Sequence, residues 1–264
     1  MRYIPELDGL RAFAILGVLL VHSNFALQTP VLEMYRSWGW IGVDLFFVIS
    51  GYLITTILLA SKEQPGYYLN FYARRGLRIW PLYYLLLFFV FVASPHLGDW
   101  ANQRLDLHVY HWRYYILYFQ NLILPHLGSF ALVITWSLCV EEQFYLVWPL
   151  MVRVCSRKTL ERIVVAVLVL EPIIRFGLQK FHSPYFAYYT PARLDAIAAG
   201  ALLALRPRAL KYAWLAAPFA YALLWRKEFV FSYSALALAF GWLVGSIVTN
   251  GSRILRWAPL RFVG

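Results

Sequence analysis

From Ile41 to Ala60 the chain runs twenty residues with a single charge, Asp44. Coiled as a helix, such a run reaches about 30 Å, the thickness of the hydrocarbon core of a bilayer. At roughly 20 mainly apolar residues per crossing, the sequence gives spans near 10–26, 39–60, 79–95, 133–152, 162–179, 189–205, 212–225 and 230–249. The stretch from Trp112 to Leu124 is apolar but short, and reads as re-entrant or as a tilted helix inside the bundle. Composition agrees: 61% of residues are hydrophobic and 14% charged, against about a quarter charged in soluble domains. The expected fold is all-α, a polytopic transmembrane helix bundle forming one domain over residues 1–264.

Charge sets the expected topology. With the N-terminus in the cytoplasm and the 112–124 stretch not crossing, 16 of the 24 Lys and Arg residues fall on the cytoplasmic side. A crossing there would move the Arg153–Arg162 cluster outside, against the positive-inside rule. The net charge of +11 therefore reads as loops and anionic lipid or ligand contacts, and nucleic acid is set aside as a partner. The 19 Tyr and 11 Trp suit interfacial belts. Polar Asp8 ahead of the first apolar run, with no small-residue cleavage site after it, makes that run a first span rather than a signal peptide. Cys139 and Cys155 read as free thiols, with no metal site between them.

Ionisable groups inside spans are costly unless they line a cavity or find partners. Arg11 and His22 stand eleven residues apart on one face of the first span, roughly 16 Å along its axis. They mark either the two ends of one channel or two side chains reaching opposite interfaces. Asp44 enters the second span at about the depth of His22. It is a candidate to orient that imidazole, or a carboxylate helped by a helix start. Ser50-Gly51 is read as a small-residue packing site. Arg75 and Arg78, three apart at the entrance to the third span, suit bidentate contact with phosphate oxygens; an ordinary basic flank is the alternative. Glu141 and Glu142 lie about 12 Å into the membrane and point about 100° apart, so one faces the site while the other pairs elsewhere. Arg193 and Asp195 open the sixth span behind Pro191 and either contact substrate or simply pair with other buried charges, and Glu171 with Arg175 form an i,i+4 pair.

Five ordered motifs carry a resemblance. They are Glu6-Leu7-Asp8-Gly9-Leu10-Arg11 with His22, Gly42-Val43-Asp44 running to Ile54, and Arg75-x-x-Arg78-Ile79-x-Pro81. Trp136-Ser137-Leu138 into Glu141-Glu142-Gln143-Phe144-Tyr145 and Arg193-Leu194-Asp195 to Gly200 complete the set. Together they span nearly the whole chain, which resembles the acyltransferase-3 family of membrane proteins. That family acylates sugars in lipopolysaccharide, capsules, exopolysaccharide and related glycans.

The resemblance implies acyl-CoA, commonly acetyl-CoA, as donor, no bound cofactor, a carbohydrate acceptor, and a multi-pass place in the inner or plasma membrane. It implies that Arg11 and His22 are required and that the Arg75–Arg78 motif serves activity. It also implies two further spans beyond Gly264, so the chain is expected to be C-terminally truncated. The catalytic candidates are thus His22, Asp44, Glu141 and Glu142, and the substrate-binding candidates Arg11, Arg75, Arg78, Tyr145, Arg193 and Asp195. Two rivals stand beside this reading: a transporter of anionic or acylated molecules, and a non-catalytic remnant.

Overall fold

The computed structural model describes residues 3–22, 38–98, 112–123, 130–181, 186–225 and 229–264. Eleven α-helices lie among them: α1 (Pro5–His22), α2 (Ile41–Ser61), α3 (Tyr67–Phe88), α4 (Trp112–Ile116), α5 (Phe130–Val133), α6 (Trp136–Val154), α7 (Arg157–Lys180), α8 (Leu194–Leu205), α9 (Ala216–Trp225), α10 (Phe229–Asn250) and α11 (Ala258–Val263). No strand occurs among the described residues. The helix over Ile41–Ser61, that over Tyr67–Ala93 and that over Val230–Asn250 are long and apolar enough to cross a membrane.

Each expected span has a helical counterpart, but the boundaries differ in instructive ways. The third helix begins at Tyr67 rather than near 79, and a π-turn over Phe89–Ala93 extends it. Arg75 and Arg78, expected at the entrance to the third span, therefore sit inside the helix, with Arg74 beside them. Arginine is a good helix former whose stem packs along apolar surface, so its charge lowers hydropathy without ending the helix. Residues 23–26 of the first expected span fall outside the described residues.

α8 has 12 residues and reaches about 18 Å, short of a full crossing. A 3-10 turn over Thr190–Ala192 leads into it. Nearly every residue from Asp195 to Leu205 is buried, because α2, α7 and α10 pack around it. With α1 and α6 these helices form the main core. A smaller cluster joins α3 and α6 to the 112–123 segment through Tyr83, Leu87, Tyr115 and Cys139.

That segment is one helical turn, a reversal and a 3-10 turn at Gln120–Leu122. The reversal falls at Tyr118, whose φ is 56°. Tyr83 donates to the Tyr115 carbonyl (2.8 Å), and Gln120 donates to Tyr83 and Thr135 (3.0 Å each). These bonds satisfy backbone and side-chain groups that lipid cannot.

Candidate active site

Three layers of polar side chains run through the bundle. The first is a cleft of about 710 Å³ at the arginine-rich end, lined by Tyr3, Asp8, Arg11, Arg74, Arg75, Arg78 and Arg261. α1 brings Arg11, α3 the next three cations and α11 Arg261. Arg11 is held by Asp8, one turn before it (3.1 Å), and Asp8 also accepts from the Tyr3 hydroxyl. Five guanidiniums face one carboxylate in this cleft, so the donor forks are largely available to an anion.

The second layer begins where Arg75 leaves the cleft. Its guanidinium lies 5.1 Å over the ring of buried Tyr145, and Glu141, one turn earlier on α6, is within electrostatic reach of both Arg75 and Arg11. Ser50 of α2 donates a hydrogen bond to Glu141, and the Tyr145 hydroxyl partners the same pair. Glu142 points elsewhere, its Oε2 accepting from the Trp80 indole at 3.3 Å while its Oε1 is buried without a hydrogen-bond partner. The two glutamates divide as adjacent helical positions require.

The third layer lies toward the opposite end. Phe47, one turn before Ser50, packs edge-on against Trp136, which begins α6 (6.1 Å). Over these rings lies Arg193, 4.2 Å from the Tyr233 ring and 5.3 Å from Trp136. Its Nη2 is 2.9 Å from Asp44 Oδ1, and both residues are at most 2% exposed. Asp44 Oδ2 and Arg193 Nε and Nη1 lack hydrogen-bond partners.

His22 ends α1, exposed. Its Nδ1 is 2.8 Å from the Val18 carbonyl. A carbonyl only accepts, so Nδ1 is the donor in this contact. Asp44, expected as a candidate to orient this ring, is instead paired with Arg193. Asp195 is also not open to a ligand. It is fully buried, its Oδ2 taking Arg175 (2.7 Å) and Ser234 (2.8 Å) and its Oδ1 the Ala196 amide (2.9 Å). Arg175 further pairs with Glu171 (3.4 Å) and donates to the Val230 and Ala192 carbonyls. Asp195 and Arg193 therefore act in buried ion pairs that lock α8 to α7 and α2. The pairing of Glu171 with Arg175 has the expected spacing and belongs to this larger network.

The structure thus brings together Arg11, Arg75, Arg78, Glu141 and Tyr145, and leaves His22 at the far end of α1. Ser50, read in the sequence as a packing site, and Asp8, part of the first motif, also join the site, as does Arg261, which no motif contains. Ser50 was hidden by its own glycine neighbour, which does make a close helix contact: an added Cβ at Gly51 would lie 2.0 Å from the Ile197 carbonyl oxygen.

A family model described as an acyltransferase domain, the acyltransferase-3 domain, matches residues 4–264. The chain belongs to this family. The match covers the five motifs and, apart from Tyr3, the three layers. Among curated proteins, the acyltransferase-3 chain is 37% identical over 157 residues to the peptidoglycan O-acetyltransferase OatA of Listeria monocytogenes (56% of this chain, 24% of that protein). It is 33% identical over 184 residues to the O-acetyltransferase OatA of Staphylococcus aureus (67% and 29%). It is 37% identical over 160 residues to the putative peptidoglycan O-acetyltransferase YrhL of Bacillus subtilis (56% and 24%). The matched region spans about a quarter of the length of these relatives. No solved structure matches the chain.

Proposed function

We propose that this chain transfers an acyl group, acetyl in the simplest case, from acyl-CoA to a hydroxyl of a cell-surface glycan, peptidoglycan foremost. The observation that carries this reading is the arginine cleft meeting Glu141 and Tyr145 at the foot of the helix whose other end is His22. Planar guanidiniums at a membrane flank suit a polyphosphorylated donor, and the names of the relatives supply the glycan. Arg11, Arg75 and Arg78 hold the donor phosphates. His22 Nε2 accepts the proton of the acceptor hydroxyl as its oxygen attacks the thioester carbonyl, and the imidazolium returns that proton to the thiolate as the carbon–sulfur bond breaks. Glu141, fixed by Ser50 and Tyr145, lies within electrostatic reach of Arg75 and steadies its guanidinium over the Tyr145 ring. The chain lies in the plasma membrane with the cleft and the N-terminus cytoplasmic, which puts the donor where acyl-CoA is made.

The test is transfer of label from radiolabelled acetyl-CoA into glycan by membranes carrying the chain. His22→Ala is expected to lower the rate by about 10²–10⁴, the usual contribution of a general base. Label entering glycan at the unaltered rate in that variant sinks the role of His22. Uptake of an anion with no thioester consumed favours a transporter instead.

A further inference from the structure

α7 carries a second basic feature, away from the cleft. Lys158, Arg162, Ala166 and Val169 follow one another at helical spacing, and all four are exposed. The first two are cations at the arginine-rich end, and the stripe below them is apolar, continuing through Leu170 and Ile173 (52% and 62% exposed). Arg206, at the end of α8, overhangs the same groove of about 1040 Å³. Four cations line it, Arg157 with the three just named, against one carboxylate, Glu161, which leaves a net charge of +3. Glu161 stands 3.9 Å from both Arg157 and Arg206, beyond hydrogen-bond reach. Lys158 and Arg162 have no carboxylate partner among the described residues.

We propose that this groove binds an anionic phospholipid, with the phosphate on Lys158, Arg162 and Arg206 and an acyl chain along the α7 stripe. The two halves of the groove match the two halves of such a lipid. A free anion leaves the apolar stripe unused, and a hydrocarbon or zwitterionic lipid leaves the net charge uncompensated. Basic pockets beside transmembrane helices recognise anionic head groups in this way, and long cationic stems reach the head-group level while packing on apolar surface. The site owes nothing to the acyl-transfer reading and stands or falls separately from it.

The experiment is native mass spectrometry of the full chain released from bilayers of phosphatidylglycerol and phosphatidylcholine with the same acyl chains. Retention of phosphatidylglycerol over phosphatidylcholine is expected. Lys158→Gln with Arg162→Gln is expected to weaken that preference about twenty-five-fold, from roughly fivefold for each cation near an anionic surface, with the unfolding temperature in detergent unchanged. Arg208→Gln with Lys211→Gln, on the neighbouring basic turn, is expected to leave it intact. Three results overturn the proposal: no preference in the unaltered chain, equal loss in both double variants, or full displacement of the lipid by glycerol phosphate. The last identifies a site for a free phosphate rather than a lipid.

Discussion

Arg75 touches three kinds of group at once: it lines the cleft, lies over the Tyr145 ring and sits within reach of Glu141. A hydrogen bond to a charged group contributes about 1.5–3 kcal/mol, so Arg75→Gln with Arg78→Gln should raise the donor KM on the order of 10²-fold or more. Steady-state transfer against acetyl-CoA concentration checks this; an unchanged KM removes the phosphate role. Ser50→Ala takes away the hydroxyl that holds Glu141. The expected outcome is a fall in kcat of roughly tenfold to a hundredfold at near-constant donor KM, with Ser50→Thr restoring most of it. Rescue separates positioning from packing, since threonine is the larger residue. Arg11, Arg75 and Arg78 were legible because cations at a membrane flank stand out against apolar runs. The Ser50–Glu141 bond was not, since it joins residues 91 positions apart and a local pattern holds no trace of which helix will face which. The same limit explains Asp44. Its depth suggested His22, but α8 delivers a guanidinium to it, and a full cation outbids an imidazole.

Helix α2 meets α8 with almost no side chain between them. A Cβ on Gly51 would stand 2.0 Å from the Ile197 oxygen, and one on Gly200 would stand 2.0 Å from the Val48 oxygen. Small residues at such crossings let backbones approach, and packing supplies the association that lipid does not. Gly51→Ala or Gly200→Ala must push two main chains apart, at a cost of about 1–3 kcal/mol or more. The thermal midpoint in detergent should fall for either variant, while Gly177→Ala, with nothing within 4 Å of the new atom, should not lower it. The helices themselves were legible from apolar runs and their lengths. That α8 is a short central strut rather than a lipid-facing crossing was not, because an apolar run reads alike whether helices or lipid surround it.

At the scale of the whole molecule, the two ends of the chain are tied together. α11 packs on α1, and Arg256 donates to Glu6 at 2.6 Å across 250 positions of sequence. Burial pushes the Glu6 carboxyl upward, yet its hydrogen bonds with Arg256 and with backbone amides outweigh that and hold it below its ordinary 4.5. A carboxyl lowered in the folded state adds stability above its unfolded value, and loses it as pH falls through the folded one. The unfolding midpoint should therefore drop as pH is taken below about 4.5, and Arg256→Gln should flatten that dependence; equal slopes for both proteins contradict the link. The helical crossing of α2 and α8 also reaches into heredity. Every glycine codon begins with the same two bases, and changing either gives a residue with a Cβ or a stop. In the codons for Gly51 and Gly200, only a third-letter change keeps a residue without a Cβ at this contact.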